Sequence, residues 1–337
     1  MIKWLALIVI MLLVAAGLTG YVILVSPNVN TTQNITIKIP SGSSYTDVLS
    51  ILRQKKALKN EATFDLVCRL KKYPGAVKPG NYLLTKGMNN RQIVNMLRAG
   101  LQTPVKLVIY NIRTKEDFAG LVGRTLELDS NELLAELNNK EFCAGYGLDT
   151  NTIISRFIMD NYEMYWTTGE KKFFEKMEEA YNSFWNEERK AKAKTLGLSI
   201  AEVTTLASIV EREVIFDKEM PTVAGVYLNR LKIGMPLQAD PTLVFALRDF
   251  SARRVTSYHK EYDSPFNTYM YAGLPPGPIC IPQKKALEAV LNAEKHNYLY
   301  FCANPDMSGY SIFSATYDEQ QRVAAQYRKK LDKMNIH

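Results

Sequence analysis

Residues 199–214 read SIAEVTTLASIVEREV, and this stretch predicts the central helix of the fold. Ser199 and Glu202 have the spacing of a capping box, so we expect the helix to begin at Ser199. Apolar residues then recur at intervals of four, three and four, at Val203, Ala207, Val210 and Val214. Such spacing places one face of a helix against a hydrophobic core.

Two glutamates, Glu211 and Glu213, lie near the end of this helix on opposite margins of its apolar face. A carboxyl group at such a margin is partly removed from water, which raises its pKa and keeps a proton available for general acid catalysis. The ordinary alternative is an exposed surface glutamate, which helix geometry alone favours for either residue. Helical spacing does not choose between the two.

Two segments downstream can supply another wall of a site. In LQADPT (237–242), Asp240 stands directly before a proline and is well placed to cap the next helix, which leaves Gln238 freer to meet a ligand. GLPPGPI (273–279) contains three prolines and two glycines, which exclude a helix or a central strand. We expect a stiff loop suited to an extended sugar chain, with a structural connector as the alternative.

The part of the chain before residue 131 contains a repeated strand–turn–helix pattern. Ile35–Ile39 alternates like a half-buried strand and is followed by SGSSYTDVLSILR (41–53). KGMNNRQIVNMLR (86–98) matches that segment in its apolar positions, its glycine and its final Leu-Arg, and Val105–Ile112 begins a third, looser copy. Repeated units of this kind predict a small α+β module, unless two amphipathic helices match by coincidence.

Residues 131–193 are mostly helical, charged and aromatic in pattern. Within them, Lys171–Arg189 predicts one long helix with apolar residues along one face, at Phe174, Met177, Tyr181 and Phe184. We expect this segment to serve in core packing and spacing.

The N-terminal segment Trp4–Val25 contains no charged residue and is long enough to cross a bilayer as a helix. A cleaved signal peptide has a shorter apolar run and a small-residue cleavage site, and no A-x-A site precedes Pro27. Lys3 precedes the run, and Ser26–Ile37 has no basic residue, which favours an N-terminus inside the cytoplasm. The remaining chain then lies outside the cytoplasm.

Composition is that of a globular protein, with 47% hydrophobic and 23% charged residues over 337 residues, which predicts two or three folded units after the N-terminus. The net charge of +8 favours an anionic wall or lipid surface, and no motif typical of nucleic-acid binding is present. The four cysteines form no C-x-x-C pair, so we expect isolated thiols, or a Cys280–Cys302 bridge in an exported domain. Neither a zinc site nor a nucleophile–histidine pair is indicated.

Four ordered motifs together resemble the MltG/YceG-like family of endolytic murein transglycosylases. They are LASIVEREV (206–214), VYLNRLKIGMPLQADPT (226–242), NTYMYAGLPPGPI (267–279) and YLYFCA (298–303). The resemblance covers the chain end to end and implies an α+β protein in three parts. These are a transmembrane anchor (1–26), a small LysM-like module (35–103) and a mixed α+β catalytic domain (104–337) that includes a helical insert at about 131–195 and carries its catalytic glutamate on a helix.

Carried over residue by residue, the resemblance implies that Glu211 is the catalytic residue and that Glu213 occupies a second, non-catalytic acidic position. It also implies a set of substrate-binding residues: Gln238, Asp240, Thr242, Asn267, Thr268 and Tyr269. It implies neither a cofactor nor a metal. The chain departs from the family pattern at Cys280-Ile281-Pro282-Gln283 and at Met159-Asp160-Asn161-Tyr162.

The activity implied is cleavage between N-acetylmuramic acid and N-acetylglucosamine in nascent peptidoglycan strands, leaving 1,6-anhydromuramoyl ends and terminating elongation beside penicillin-binding synthases. One carboxyl group suffices, because the C6 hydroxyl of the sugar replaces water as nucleophile. Two alternatives stay open. One is a non-catalytic, peptidoglycan-binding scaffold for synthases. The other is a muramidase that uses water and needs a second carboxylate, for which Asp240 is a candidate.

Overall fold

The computed structural model describes residues 2–30, 33–251 and 256–333. Helices and short two-stranded sheets alternate along the chain, as expected for an α+β protein. The described residues divide into two compact units. The first comprises residues up to Leu107 with Gly123–Leu128 and Tyr162–Gly169. The second comprises Val108–Val122, Asp129–Asn161 and the described residues from Glu170 onwards.

Helix α1 (Ile2–Leu24) is the apolar N-terminal segment. Its stretch Trp4–Leu24 has a mean hydropathy of 2.7 and is not buried by the rest of the protein. At about 1.5 Å per residue the helix is about 34 Å long, which matches a hydrocarbon core about 30 Å thick. The helix therefore fits a membrane anchor.

The first unit contains the two similar copies seen in the sequence. Strands β1 (Ile35–Ile39) and β2 (Gly80–Leu84) pair antiparallel, with Ile37 opposite Tyr82. The helices of this unit are α2 (Tyr45–Gln54), α3 (Glu61–Leu70) and α4 (Asn90–Ala99). Ser44 and Asn89 each begin a helix with a capping box, so the repeated sequence produces the same local structure twice.

The residues directly after α1 are part of this unit. The Asn90 Nδ2 atom donates to Ile23 O at 2.8 Å, and the Asn28 backbone N donates to Met88 O at 2.9 Å. Val29 is buried and bridges to Leu58. These backbone bonds and the burial of Val29 hold residues 28–30 against the unit, although their composition is polar. Residues 31 and 32 lie outside the described part.

The remaining strands pair as β3 (Val105–Val108) with β4 (Asn161–Met164), and β5 (Tyr300–Ala303) antiparallel with β6 (Ser311–Ser314). The helices from residue 115 to residue 195 are α5 (Lys115–Thr125), α6 (Ser130–Leu137), α7 (Lys140–Gly145), α8 (Glu170–Phe184) and α9 (Glu187–Thr195). Those that follow are α10 (Ile200–Glu213), α11 (Met220–Lys232), α12 (Asp240–Leu247), α13 (Ser257–Lys260), α14 (Lys284–Leu291) and α15 (Tyr317–Lys333).

The single long helix expected over Lys171–Arg189 is wrong. Helix α8 ends at Phe184, and α9 begins at Glu187, because the Asn186 side chain accepts a hydrogen bond from Arg189 N and caps the second helix. The buried face of α8 also begins one residue earlier than expected. It consists of Phe173, Met177, Tyr181 and Phe184, with Phe174 only half-buried.

Helix α10 is the centre of the second unit and packs against α11, α12 and α14. It begins with the predicted capping box at Ser199. Every residue from Val203 to Val210 is buried, so the helix is enclosed on all sides and not only along the expected stripe. Its buried hydroxyls are satisfied locally, since Thr204, Thr205 and Ser208 donate to carbonyls three or four residues earlier. The first residue beyond this enclosed segment is Glu211.

Candidate active site

Glu211 is half-buried and lines a cleft of about 150 Å³ together with Tyr110, Asn111 and Asp217. Both carboxyl oxygens are engaged by one residue. Gln283 donates its backbone N–H to Oε2 at 2.6 Å and its side-chain amide to Oε1 at 3.3 Å. Gln283 is the residue before α14, so Glu211 caps the positive end of that helix. This contact gives Glu211 a structural role.

Glu213, the last residue of α10, has a different environment. The side chain as a whole is half-buried, but its Oε2 atom is enclosed and has no hydrogen-bond partner among the described residues. Burial raises the pKa of Glu213 to about 8, and the nearby charge of Asp240 raises it further, while Arg230 and a hydrogen bond from Tyr227 partly oppose the shift. At neutral pH the group therefore carries the proton that a general acid needs.

Asp240 lies beside this carboxyl group. It is the first residue of α12, and its side chain caps nothing, so the predicted capping role is wrong. Its Oδ1 atom accepts a 2.5 Å hydrogen bond from the Tyr269 hydroxyl instead. Burial and this bond raise the pKa of Tyr269, and the charge of Glu213 contributes to the same shift. Glu213, Asp240 and Tyr269 thus form one electrostatic cluster.

The other residues expected to bind substrate fall into two groups. Gln238 is exposed, in a left-handed backbone conformation (φ 51°), and its side chain is accessible. Asn267, Thr268 and Thr242 are buried. Thr268 Oγ1 accepts from Ala239 N at 3.0 Å and lies 2.9 Å from Thr242 Oγ1. The buried residues therefore hold the loop after residue 266 against α12, and they do not present side chains to a ligand.

The buried Asn267 side chain forms hydrogen bonds with backbone atoms on both sides of it in the loop. Its Nδ2 atom donates to Lys260 O at 3.0 Å and to Tyr262 O at 2.8 Å, and its Oδ1 accepts from Tyr269 N at 2.9 Å. The last of these bonds orients the residue that contacts Asp240. Asn267 thereby acts on the cluster indirectly, through Tyr269.

The predicted stiff loop has neither helix nor strand over residues 273–279 and is pinned at two points. Ile279 N donates to Ser208 Oγ at 3.0 Å, which ties the loop to α10. At Gly277, an added Cβ atom would lie 2.3 Å from Asn151 O, so only glycine permits the close backbone approach there.

Two residues of α11 that contribute to the electrostatic cluster were not predicted from the sequence. Tyr227 is 1% exposed and contacts the Glu213 carboxyl. Arg230 is 7% exposed and donates to Leu299 O and Leu237 O, both at 2.6 Å. Their spacing of three places both on one side of α11, and a buried arginine in an amphipathic helix is the signal that marks such a residue.

The cysteines are free thiols. Cys280 is fully buried against Ser208 O, and Cys302 is half-buried. The bridge between them that export would allow is not formed. The expectation of isolated thiols is confirmed.

The chain belongs to the YceG-like family, whose sequence pattern matches residues 37–326. It is 29% identical, over 309 residues, to the endolytic murein transglycosylase of Bacillus subtilis (strain 168). The aligned region covers 87% of this chain and 84% of that protein. A Streptococcus pneumoniae endolytic murein transglycosylase is 26% identical over 359 aligned positions, covering 97% of this chain and 65% of that protein. The crystal structure of a YceG-like protein from Listeria monocytogenes superposes with a TM-score of 0.56 at 29% identity, covering 87% of this chain and 99% of that one.

Proposed function

We propose that this protein is a membrane-anchored lytic transglycosylase that cleaves peptidoglycan strands internally, with Glu213 as its proton donor. The enclosed Glu213 carboxyl beside Asp240 and Tyr269 is the observation that carries the proposal. The names of the Bacillus and Streptococcus relatives support the reaction class.

The reaction needs one carboxyl group in two protonation states. Protonated Glu213 gives its proton to the oxygen that links N-acetylmuramic acid to N-acetylglucosamine, and the C1–O bond of the muramoyl residue breaks. The carboxylate then takes the proton of the C6 hydroxyl as that oxygen attacks C1, which forms a 1,6-anhydromuramoyl end and regenerates the acid. Because the nucleophile belongs to the same sugar, the effective concentration is high.

Asp240 supplies a fixed negative charge for this step. An oxocarbenium-like transition state develops positive charge at C1, and a nearby carboxylate stabilises it. The Tyr269 hydroxyl holds Asp240 in one orientation, and the exposed Gln238 side chain is a candidate to bind the adjacent sugar.

The sequence resemblance implies Glu211 as the acid, whereas the contacts favour Glu213. Glu211 accepts two hydrogen bonds from Gln283 and caps α14, while Glu213 Oε2 has no partner in the described chain and is near Asp240. Glu211 remains the competing assignment, and the experiment below separates the two residues.

The proposal extends to the glycan-binding module, the membrane anchor and the place of cleavage. The order β1–α2–α3–β2 with paired antiparallel strands supports a LysM-like, glycan-binding module over residues 35–103, followed by the catalytic domain over residues 104–337. Helix α1 would cross the cytoplasmic membrane with the N-terminus inside. Cleavage there, beside penicillin-binding synthases, would release nascent strands and end their elongation.

The test is end-group analysis of uncrosslinked glycan strands after digestion by the full-length protein in detergent. Wild type should give 1,6-anhydromuramoyl ends, Glu213→Gln should give none, and Glu211→Gln should keep most of the activity. Loss of activity in Glu211→Gln with retention in Glu213→Gln would return the assignment to Glu211.

The same assay covers the alternatives. Reducing ends in place of anhydro ends would indicate a muramidase, in which Asp240 activates water. The observation that favours this alternative is the closeness of Asp240 to Glu213, since a hydrolase needs two carboxyl groups. Binding of the strands by wild type without any cleavage would indicate a scaffold.

A further inference from the structure

A second pocket, of about 170 Å³, lies in the same unit as the glutamates. Its charged lining consists of Arg113, Lys115, Arg248 and Glu116, and its apolar wall includes Phe245 and Phe266. We call it the basic pocket, because three cationic side chains share one carboxylate.

Lys115 uses its donors on neutral oxygens. Its Nζ atom donates to Asn138 Oδ1 at 2.5 Å, to Thr150 O at 2.7 Å and to Leu137 O at 3.4 Å. Within residues 2–30, 33–251 and 256–333, no carboxylate forms an ion pair with it. The ammonium group is thus held in place by neutral oxygens and not by a direct ion pair.

Arg113 is half-buried, and its guanidinium lies 4.8 Å from the centre of the Phe250 ring. It has no ion pair with any described carboxylate. Burial lowers the pKa of Arg113, and the nearby charge of Arg212 lowers it further, which shows that the environment disfavours its positive charge. A bound anion would relieve that cost.

Arg248 has the one ion pair of the basic pocket, 3.4 Å from Glu116. Both partners are about half exposed, so the pair is weak and can exchange for another anion. The described side chains of the pocket therefore sum to two positive charges. Guanidinium groups bind carboxylates through two parallel hydrogen bonds, which makes a carboxylate a fitting ligand.

The basic pocket lies within reach of the Glu213 cluster. Helix α12 begins at Asp240, and Arg248 directly follows its last residue, so the two are separated by about 12 Å along the helix. An extended peptide spans up to about 3.5 Å per residue. A peptide attached to a sugar at Asp240 therefore reaches Arg248 with three or four residues.

We propose that the basic pocket binds a carboxylate of the stem peptide carried by the muramoyl residue that is cleaved. This inference rests on the proposed function and deepens it, since it makes Arg113 and Arg248 substrate-binding residues that select peptide-bearing strands. In a nascent strand the lactyl carboxyl group of each muramoyl residue is used in the amide bond to the peptide, so the anionic groups are the peptide carboxylates and, at one end, a lipid pyrophosphate. Amidase treatment frees the lactyl carboxylate, but that group stays on the sugar and does not span the distance of about 12 Å along α12 that separates Asp240 from Arg248.

The test compares three substrates for the full-length protein in detergent: peptide-bearing strands without lipid, strands stripped of peptides by an amidase, and stripped strands that keep their lipid pyrophosphate. Wild type should cleave peptide-bearing strands about tenfold more efficiently than stripped ones, the effect of one charge-assisted hydrogen-bonded pair. Arg113→Gln and Arg248→Gln should lose that preference, through a higher KM for the peptide-bearing strands. Arg328→Gln, an exposed arginine on α15, is the matched control.

Two outcomes would overturn the inference while the proposed function stands: wild type that cleaves both lipid-free substrates equally, or an arginine variant that slows both equally. An effect confined to the lipid-linked strands would assign the pocket to pyrophosphate and also reject the carboxylate. Failure of wild type to cleave any strand would refute the proposed function itself, and the inference with it. Because the Arg248 side chain is about half exposed, its variant keeps the test decisive if Arg113→Gln does not fold.

Discussion

The hydroxyl of Tyr269 donates a 2.5 Å hydrogen bond to Asp240 Oδ1 and so fixes the carboxylate that, together with the larger effect of burial, raises the pKa of Glu213. One tyrosine on a loop thereby sets the orientation of a charge on α12, and that charge acts on an acid at the end of α10. The proton donor is therefore prepared by three segments that are distant in sequence.

Replacement of Tyr269 by Phe should reduce kcat/KM for strand cleavage by about tenfold, because a hydrogen bond to a charged group is lost and Asp240 gains rotational freedom. Tyr271→Phe is the matched control, since Tyr271 donates a 2.7 Å hydrogen bond to Asp263, an exposed aspartate outside the cluster. Steady-state kinetics on uncrosslinked strands measure both. Equal losses in the two variants would contradict a special role for Tyr269.

The pH dependence of kcat/KM should show an alkaline limb near pH 8, since Glu213 must be protonated to act as an acid and its pKa is about 8. Asp240 raises that pKa, so Asp240→Asn should lower it and move the limb to lower pH. A pH–rate profile of each protein tests the shift. A limb that stays in place, or moves upward, would show that Asp240 does not act on the proton donor.

The free energy of unfolding should also depend on pH because of Glu213. The folded-state pKa of Glu213 lies above its usual value of 4.5, so the stability that it contributes is complete below about pH 4.5 and is lost as the pH rises towards 8. Glu213→Gln removes the titration, so the variant should gain on wild type by up to about 1.4 kcal/mol per pH unit across that window. Urea unfolding at pH 5 and pH 8 measures the gain, with Glu261→Gln, at an exposed position, as control.

Asn90 joins the end of α1 to the first unit. It is buried, donates to Ile23 O and accepts from Asn28 Nδ2. Asn90→Leu should lower the free energy of unfolding by about 1–3 kcal/mol, because buried polar partners are left unsatisfied. Asn95→Ala, at an exposed position on the same helix, should have little effect. Thermal unfolding and limited proteolysis near residue 28 give the comparison, and a normal proteolysis pattern in Asn90→Leu would argue against this joint.

Gly277→Ala should impair cleavage without unfolding the protein. The added Cβ would meet Asn151 O at 2.3 Å, so the proline-rich loop must shift away from Asn151. Gly169→Ala is the control, because nothing lies within 4 Å of its added Cβ and its backbone is not left-handed. Activity assays and circular dichroism together separate a displaced loop from a misfolded chain.

The features that depend only on neighbouring residues could be predicted from the amino-acid sequence. The length and hydropathy of Trp4–Leu24 indicate the anchor, and the capping box at Ser199 predicts where α10 begins. These features could be predicted because hydropathy and capping act over a few residues.

The difference between the two glutamates arises from the packing of distant segments around them. A helical repeat places Glu211 and Glu213 on equivalent margins, but α14 brings Gln283 to one of them, and α11, α12 and the Tyr269 loop enclose the other. In the same packing, Asp240 does not cap α12, and the side chains of Asn267, Thr268 and Thr242 are buried. The pKa of a carboxyl group depends on the atoms within a few ångströms of it, and those atoms come from segments that the sequence separates by tens of residues.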